Sequence, residues 1–113
     1  MSRHIDGDTF EAHCGGGGDN RQITLRLFGI DTPETGARAK CDIEMQRGES
    51  ASAFLSAWMP VGSFVQVLKV DQDKYGRWVG LARYRDSDVS AELSWRGYAR
   101  PWSYRTPKPN WCD

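Results

Sequence analysis

The chain has 113 residues, enough for one domain with a single core and little more. Hydrophobic residues make up 39% and charged residues 27%, the balance of an ordinary globular protein, and no run of 18 apolar residues offers a membrane-spanning helix. Fifteen basic and fifteen acidic residues cancel, which excludes the global basic field of most nucleic-acid binders and leaves room only for a local one.

In chain order, residues 5–12 read as a strand interrupted by Asp6-Gly7. The run Gly15-Gly16-Gly17-Gly18-Asp19-Asn20 predicts a hairpin tip with little packing of its own. Residues 22–30 alternate, with Ile23, Leu25 and Leu27 on one face and Thr24 and Arg26 on the other, a half-buried strand. Residues 31–48 show no clear period and read as a loop. Ala51, Phe54, Leu55 and Trp58 then recur at helical spacing, so residues 49–59 read as a helix stopped by Pro60-Val61-Gly62. Residues 64–70 and 77–84 read as strands around a turn at 71–76. Asp88 is a suitable N-cap for a short helix over 89–96, and Gly97 its stop. No regular structure is expected from Pro101 onward. This order suits an α+β fold: a five-stranded OB-fold β-barrel, closed or nearly closed, with a helix plugging one end, in a single domain over residues 1–113.

Three short stretches carry chemistry. Asp6-Gly7-Asp8 taken alone is more often a tight turn than a site. Asp31-Thr32-Pro33-Glu34 supplies further carboxylates, and Pro33 restricts Thr32 to extended geometry, which can present its carbonyl. Asp8, Asp31 and the Thr32 carbonyl form an all-oxygen set suited to Ca²⁺, less well to Mg²⁺, and not to a soft metal. A lone Arg on a strand is usually a solvated charge. Arg26 and Arg77 together present planar forks matched to phosphate oxygens. Glu34 is then free to orient or deprotonate an attacking water. Lys74 and Tyr75 can reach a neighbouring phosphate. Trp102 and Tyr104, flanked by Arg100 and Arg105, either stack on bases or cover the barrel mouth. His4 and His13 are isolated and take no role. Cys14, Cys41 and Cys112 lack zinc-ligand spacing. A Cys41–Cys112 bridge and three free thiols both remain open, the bridge closing a loop of about 70 residues.

Ile5-Asp6-Gly7-Asp8-Thr9, Arg26-Leu27 through Asp31-Thr32-Pro33-Glu34, Ala51-Ser52-Ala53-Phe54 and Asp73-Lys74-Tyr75-Gly76-Arg77 together resemble the staphylococcal nuclease (thermonuclease) family, over most of the chain. The resemblance implies an OB barrel and a Ca²⁺-dependent nuclease of DNA and RNA with little sequence preference, leaving 3′-phosphates. It places Asp8, Asp31 and the Thr32 carbonyl around Ca²⁺, with Asp6 close by. Arg26 and Arg77 would hold the scissile phosphate, Glu34 would act on the water, and Lys74, Tyr75, Trp102 and Tyr104 would contact nucleotides. Against the family pattern, the first strand is shortened, the glycine hairpin is longer, and the balance of charge is neutral rather than basic.

The expected partners are DNA and RNA, preferably single-stranded, with no membrane and a monomeric protein. No apolar leader is visible at the N-terminus. Location is left open, with a secreted or periplasmic protein whose signal has been removed preferred over a cytoplasmic one. The rival from another class is a catalytically silent OB-type module that binds single-stranded nucleic acid or a protein. Retention of all five of Asp8, Arg26, Asp31, Glu34 and Arg77 favours the enzyme.

Overall fold

A computed structural model of the chain describes residues 1–14, 21–103 and 106–113. The glycine hairpin tip, Tyr104 and Arg105 lie outside the described residues.

Strands β1 (Arg3–Asp6) and β2 (Thr9–Cys14) form an antiparallel pair, joined by the Gly7-Asp8 turn. The interruption expected at Asp6-Gly7 falls at the turn between these two strands. Strand β3 (Arg21–Leu27) pairs with β2 from Thr9↔Arg26 to Cys14↔Arg21. Gly29, with φ of 83°, turns the chain into the two-residue β4 (Ile30–Asp31). A short 3-10 turn at Gly36–Arg38 leads into helix α1 (Asp42–Trp58), capped by Cys41. Strands β5 (Gln66–Gln72) and β6 (Trp78–Tyr84) are antiparallel, and β7 (Ser87–Asp88) pairs with β6. Asp88 caps α2 (Val89–Trp95) by accepting from the Ala91 N–H. The chain then forms β8 (Arg100–Pro101), which pairs with β4.

The main sheet runs β1-β2-β3-β6-β5, with β3 and β6 parallel, and β4-β8 forms a separate ribbon. Among the described residues the sheet is open: β1 and β5 stand at opposite ends of the order and do not pair. The closed five-stranded OB barrel expected from sequence is therefore not observed. The physical reason lies in the two edges. β1 has four residues and is folded straight back onto β2 by a short turn. β5 is exposed along most of its length, with Leu68 and Val70 facing solvent, and it also carries Lys69 and Asp71. Charges on an edge strand oppose further pairing.

The core gathers Phe10, Leu25, Leu27, Leu55, Val89 and Leu93, all fully buried. Phe54 stacks between Trp58 and Tyr98, and Trp58 meets Tyr84 edge-on. His4 Nε2 lies 2.7 Å from the Met59 carbonyl and ties β1 to the end of α1. Helix α1 can approach the segment after β4 only because residue 48 is glycine. A Cβ there would sit 2.5 Å from the Glu34 carbonyl oxygen. Gly7 is equally confined, since a Cβ would lie 3.0 Å from Thr32 Oγ1 and 3.1 Å from Ala51 Cβ. These two close approaches set the helix, the β1–β2 turn and the β4 exit against one another.

Candidate functional site

The site assembles at the end of the β2–β3 ladder. Thr9 is the register partner of Arg26, so Asp8 falls beside the end of β3, and the Leu27 N–H donates to the Asp8 carbonyl at 2.9 Å. The tight turn at Gly29 returns the chain so that Asp31 reaches the same place. One guanidinium nitrogen, Arg26 Nη2, stands 3.6 Å from Asp8 Oδ2 and 3.6 Å from Asp31 Oδ1. All three side chains are buried, as is Thr32. A lone charge at this depth would cost far more than a folded domain can spare, so the group persists as a mutually compensating cluster. Arg26 leaves β3 on the face opposite Ile23, Leu25 and Leu27, as the alternation predicts. That face is covered rather than solvated, because Trp102 lies over the guanidinium at 4.7 Å.

Asp8 accepts from the Thr32 N–H at 3.3 Å and from Thr9 Oγ1 at 3.0 Å. Asp31 Oδ2 accepts from the Trp111 indole N–H at 3.0 Å. Asp31 Oδ1 is buried with no hydrogen-bond partner among the described residues. Burial pushes the Asp31 carboxyl above its ordinary range; Trp111 and Lys108 pull the other way, and Asp8 adds to the rise. Asp6 accepts from the Asp8 N–H at 3.1 Å. Burial, the hydrogen bond to Asp8, and repulsion from Asp8 and Glu34 push Asp6 up to about 7.

Glu34 is held from two sides. Its N–H donates to Glu44 Oε2 at 3.2 Å, and its own Oε1 lies 3.5 Å from Lys108 Nζ, which also stands 3.8 Å from Asp31 Oδ1. Glu44 is a buried carboxylate on α1 whose other oxygen accepts the Lys40 N–H at 2.8 Å. It fixes the loop that carries Glu34. The structure therefore brings Asp8, Arg26, Asp31, Thr32 and Glu34 together, with Asp6 beside them.

Arg77 is placed differently. Its Nε donates to Asp73 Oδ2 at 2.6 Å, and its ion pair is with Asp73 rather than with the cluster. Burial works against the Asp73 charge, but the Arg77 side-chain and backbone N–H groups hold its carboxyl below the ordinary range. Arg77 immediately precedes β6, two residues before Val79, the register partner of Arg26. The two-residue period of a strand thus puts positions 77 and 79 on one face. Tyr75 is exposed, with Lys74 Nζ 5.2 Å and Arg77 Cζ 5.8 Å from its ring. Trp102 donates its indole N–H to the Thr106 carbonyl at 3.0 Å and covers Arg26. Tyr104 lies outside the described residues.

The donor set suits Ca²⁺ in kind. All its candidate ligands are oxygens, one of them is an orphaned carboxylate oxygen, and two cationic side chains face three carboxylates before Asp6 is counted. Among the described residues no group of three or more His, Cys, Asp or Glu side chains is arranged to hold a metal ion alone. Any such ion would need carbonyl, water or substrate oxygens to complete its shell.

Residues 24–110 match the model of the staphylococcal nuclease homologue family. The chain belongs to this family. The matched span includes Arg26, Asp31, Thr32, Glu34 and Arg77 and leaves Asp8 outside, so the place of Asp8 rests on the β2–β3 register. A curated relative, an uncharacterized lipoprotein of Mycoplasma genitalium, is 27% identical over 106 residues. The alignment covers 85% of this chain and 41% of that protein, so the chain spans about two-fifths of the length of the relative it matches.

Three residues of this family member escaped the sequence reading: Glu44, Lys108 and Trp111. Glu44 sat in a stretch read as loop. Lys108 and Trp111 sit in a tail without period, and only the neighbouring Cys112 gave a hint. Cys41 and Cys112 form a disulfide, with Cα atoms 6.1 Å apart, which ties that tail to the start of α1. Of the two alternatives left open for these cysteines, the bridge is the one observed.

Proposed function

We propose that the chain is a Ca²⁺-dependent nuclease that hydrolyses phosphodiester bonds of DNA and RNA with little sequence preference. The observation that carries this reading is the buried Arg26 between Asp8 and Asp31, with one Asp31 oxygen that accepts no hydrogen bond among the described residues and Glu34 alongside. When bound, Ca²⁺ would supply a Lewis acid held by Asp8, Asp31 and the Thr32 carbonyl. The chain's own residues do the rest. Arg26 is held in place by its two carboxylates, and movement of Trp102 from over the guanidinium would let it meet phosphate oxygens. Glu34, with its backbone pinned by Glu44, takes a proton from water as the water oxygen bonds to phosphorus. The bond from phosphorus to the 5′ oxygen breaks, that oxygen takes a proton from solvent water, Glu34 later returns its own proton to solvent, and a 3′-phosphate remains. Arg77 exchanges its Asp73 partner for the phosphate, and Lys74 and Tyr75 take the next phosphate. Trp102 offers its outer face to a base, with Tyr104 as its companion.

A protein working outside the cytoplasm fits the Cys41–Cys112 bridge, since disulfides persist in oxidising compartments. It also fits the lipoprotein relative. A single domain and a monomer are the simplest arrangement for this reading. The second reading, a silent OB-type module, is favoured by one observation: Arg77 is engaged by Asp73. Incubation of an oligonucleotide with EDTA, then with added Ca²⁺, separates the two. Hydrolysis that stops and returns, and that falls by orders of magnitude in Glu34→Gln, supports the enzyme. Binding without turnover at any Ca²⁺ concentration refutes it.

A further inference from the structure

Trp111, which bonds Asp31, also lines a second depression. This groove of about 530 Å³ runs between α1, the exit of α2 and the C-terminal segment, and is lined by Pro33, Arg47, Arg96, Tyr98, Arg100 and Trp111 among others. Its volume is within the range, roughly 300 to 1,000 Å³, of pockets that enclose small ligands. No Asp or Glu lines it. In a chain whose charges cancel, three arginines around one groove form a local positive field.

The guanidinium groups are set in place before any ligand arrives. Arg47 Nη1 donates to the Trp111 carbonyl at 2.8 Å. Arg100 Nη1 donates to the Asn110 carbonyl at 2.8 Å, and its Cζ lies 4.2 Å over the Trp111 ring. Both hold onto neutral acceptors, so their charge is not cancelled. Arg96 lies over the Phe54 ring at 4.8 Å and is ion-paired through its Nε with Glu92 at 3.1 Å, so it adds less to the field than Arg47 and Arg100, while its terminal nitrogens are left to other partners. A planar fork fixed in this way loses little further freedom when it grips a phosphate.

The groove borders the cluster described above. Pro33 follows Thr32 in the chain, Arg100 is the register partner of Asp31, and Trp111 touches both. We propose that this groove is a second phosphate-binding subsite, which carries a single strand of DNA or RNA away from the cleavage site. The proposal rests on the nuclease reading and extends it to the substrate's length. Phosphates beyond the scissile one meet Arg100, Arg47 and Arg96 in turn, and Tyr98 forms part of the wall.

The test is fluorescence anisotropy on the full chain in EDTA, with labelled oligothymidylates of about 4 and about 12 nucleotides, lengths within the range of OB-type site sizes. The wild-type chain should bind the longer strand about 10-fold more tightly. In Arg47→Gln/Arg96→Gln that gain disappears, and the slope of log affinity against log salt becomes shallower by about 1.4, at about 0.7 per phosphate contact on a single strand. Arg96→Glu leaves the Arg47–Trp111 bond untouched and should lower binding of the longer strand further than Arg96→Gln does. Melting temperatures identify any variant that has not folded. A double variant that keeps both the length gain and the salt slope overturns the subsite, as does a wild-type chain with no length gain. The assay is metal-free and needs no turnover. A protein that binds in this way but never hydrolyses loses the nuclease reading and keeps the groove.

Discussion

Breaking the Cys41–Cys112 bridge should cost a large share of the molecule's margin of stability. The two cysteines are 71 residues apart. Closing a loop of that size removes about 4 kcal/mol of entropy from the unfolded chain at 25 °C. Domains of this kind are stable by about 5 to 15 kcal/mol in total. Unfolding entropy of about 2.1 cal/mol/K per residue, taken over 113 residues, comes to about 0.24 kcal/mol/K. The melting temperature should therefore fall by about 15 to 20 °C. The measurement is a calorimetric or circular-dichroism melt of the oxidised chain, of the same chain in a phosphine reductant, and of Cys41→Ser/Cys112→Ser. Serine at position 41 keeps an acceptor for the Glu44 N–H, which Cys41 Sγ now holds at 3.3 Å, so the double variant isolates the cross-link from the helix cap. A drop of less than about 5 °C in both reduced forms would refute the reasoning, because the tail would then be held by packing alone.

Two further outcomes follow from the cluster. Trp111→Phe removes the indole N–H from Asp31 and leaves that carboxylate with neither oxygen hydrogen-bonded; calorimetric titration should find Ca²⁺ affinity weakened about 10- to 100-fold, and an unchanged affinity would exclude Trp111 as a positioning residue. Asp6 rises from 3.8 to about 7 in the folded chain, so between these two values the folded state keeps a proton that the unfolded state has lost. Its contribution to stability must then fall as pH rises across that window and level off above about pH 7. Melting temperatures of wild type and Asp6→Asn should diverge in the variant's favour from about pH 4 to about pH 7, and parallel curves would sink the assignment.

How much of this could be read from sequence depended on whether a residue's partner was near in register. Arg26 was legible because alternation along β3 put it on the face opposite Ile23, Leu25 and Leu27, and Asp8 and Asp31 flank the same strand end. The first half of α1 was not. Its buried positions are Glu44, Gly48, Ala51 and Leu55, a good helical period, but the first two are not apolar. Glu44 is inside because it binds two backbone N–H groups, and Gly48 because the Glu34 carbonyl leaves no room for a side chain. A hydrophobic pattern carries neither reason. The open sheet has a similar cause: alternation identifies strands, whereas closure depends on what the outermost strands offer each other, and β5 offers charge and exposure.

The tail makes the strongest case that the site is a product of the fold and not of its motifs. Lys108 and Trp111 reach Glu34 and Asp31 across 74 and 80 residues of sequence, and no period announces them. What brings them there is covalent: the bridge at Cys112 holds the tail against α1, and Arg47 on that helix takes the Trp111 carbonyl. The same indole then fixes one oxygen of Asp31 and leaves the other without a partner. A buried carboxylate oxygen without a hydrogen bond is costly unless cations stand near it. Arg26 at 3.6 Å and Lys108 at 3.8 Å are too far to hydrogen-bond it but close enough to offset its charge. The disulfide, the tryptophan and the buried carboxylate thus form one chain of cause, in which a covalent staple in the tail sets the hydrogen bonding of Asp31, 80 residues away in sequence.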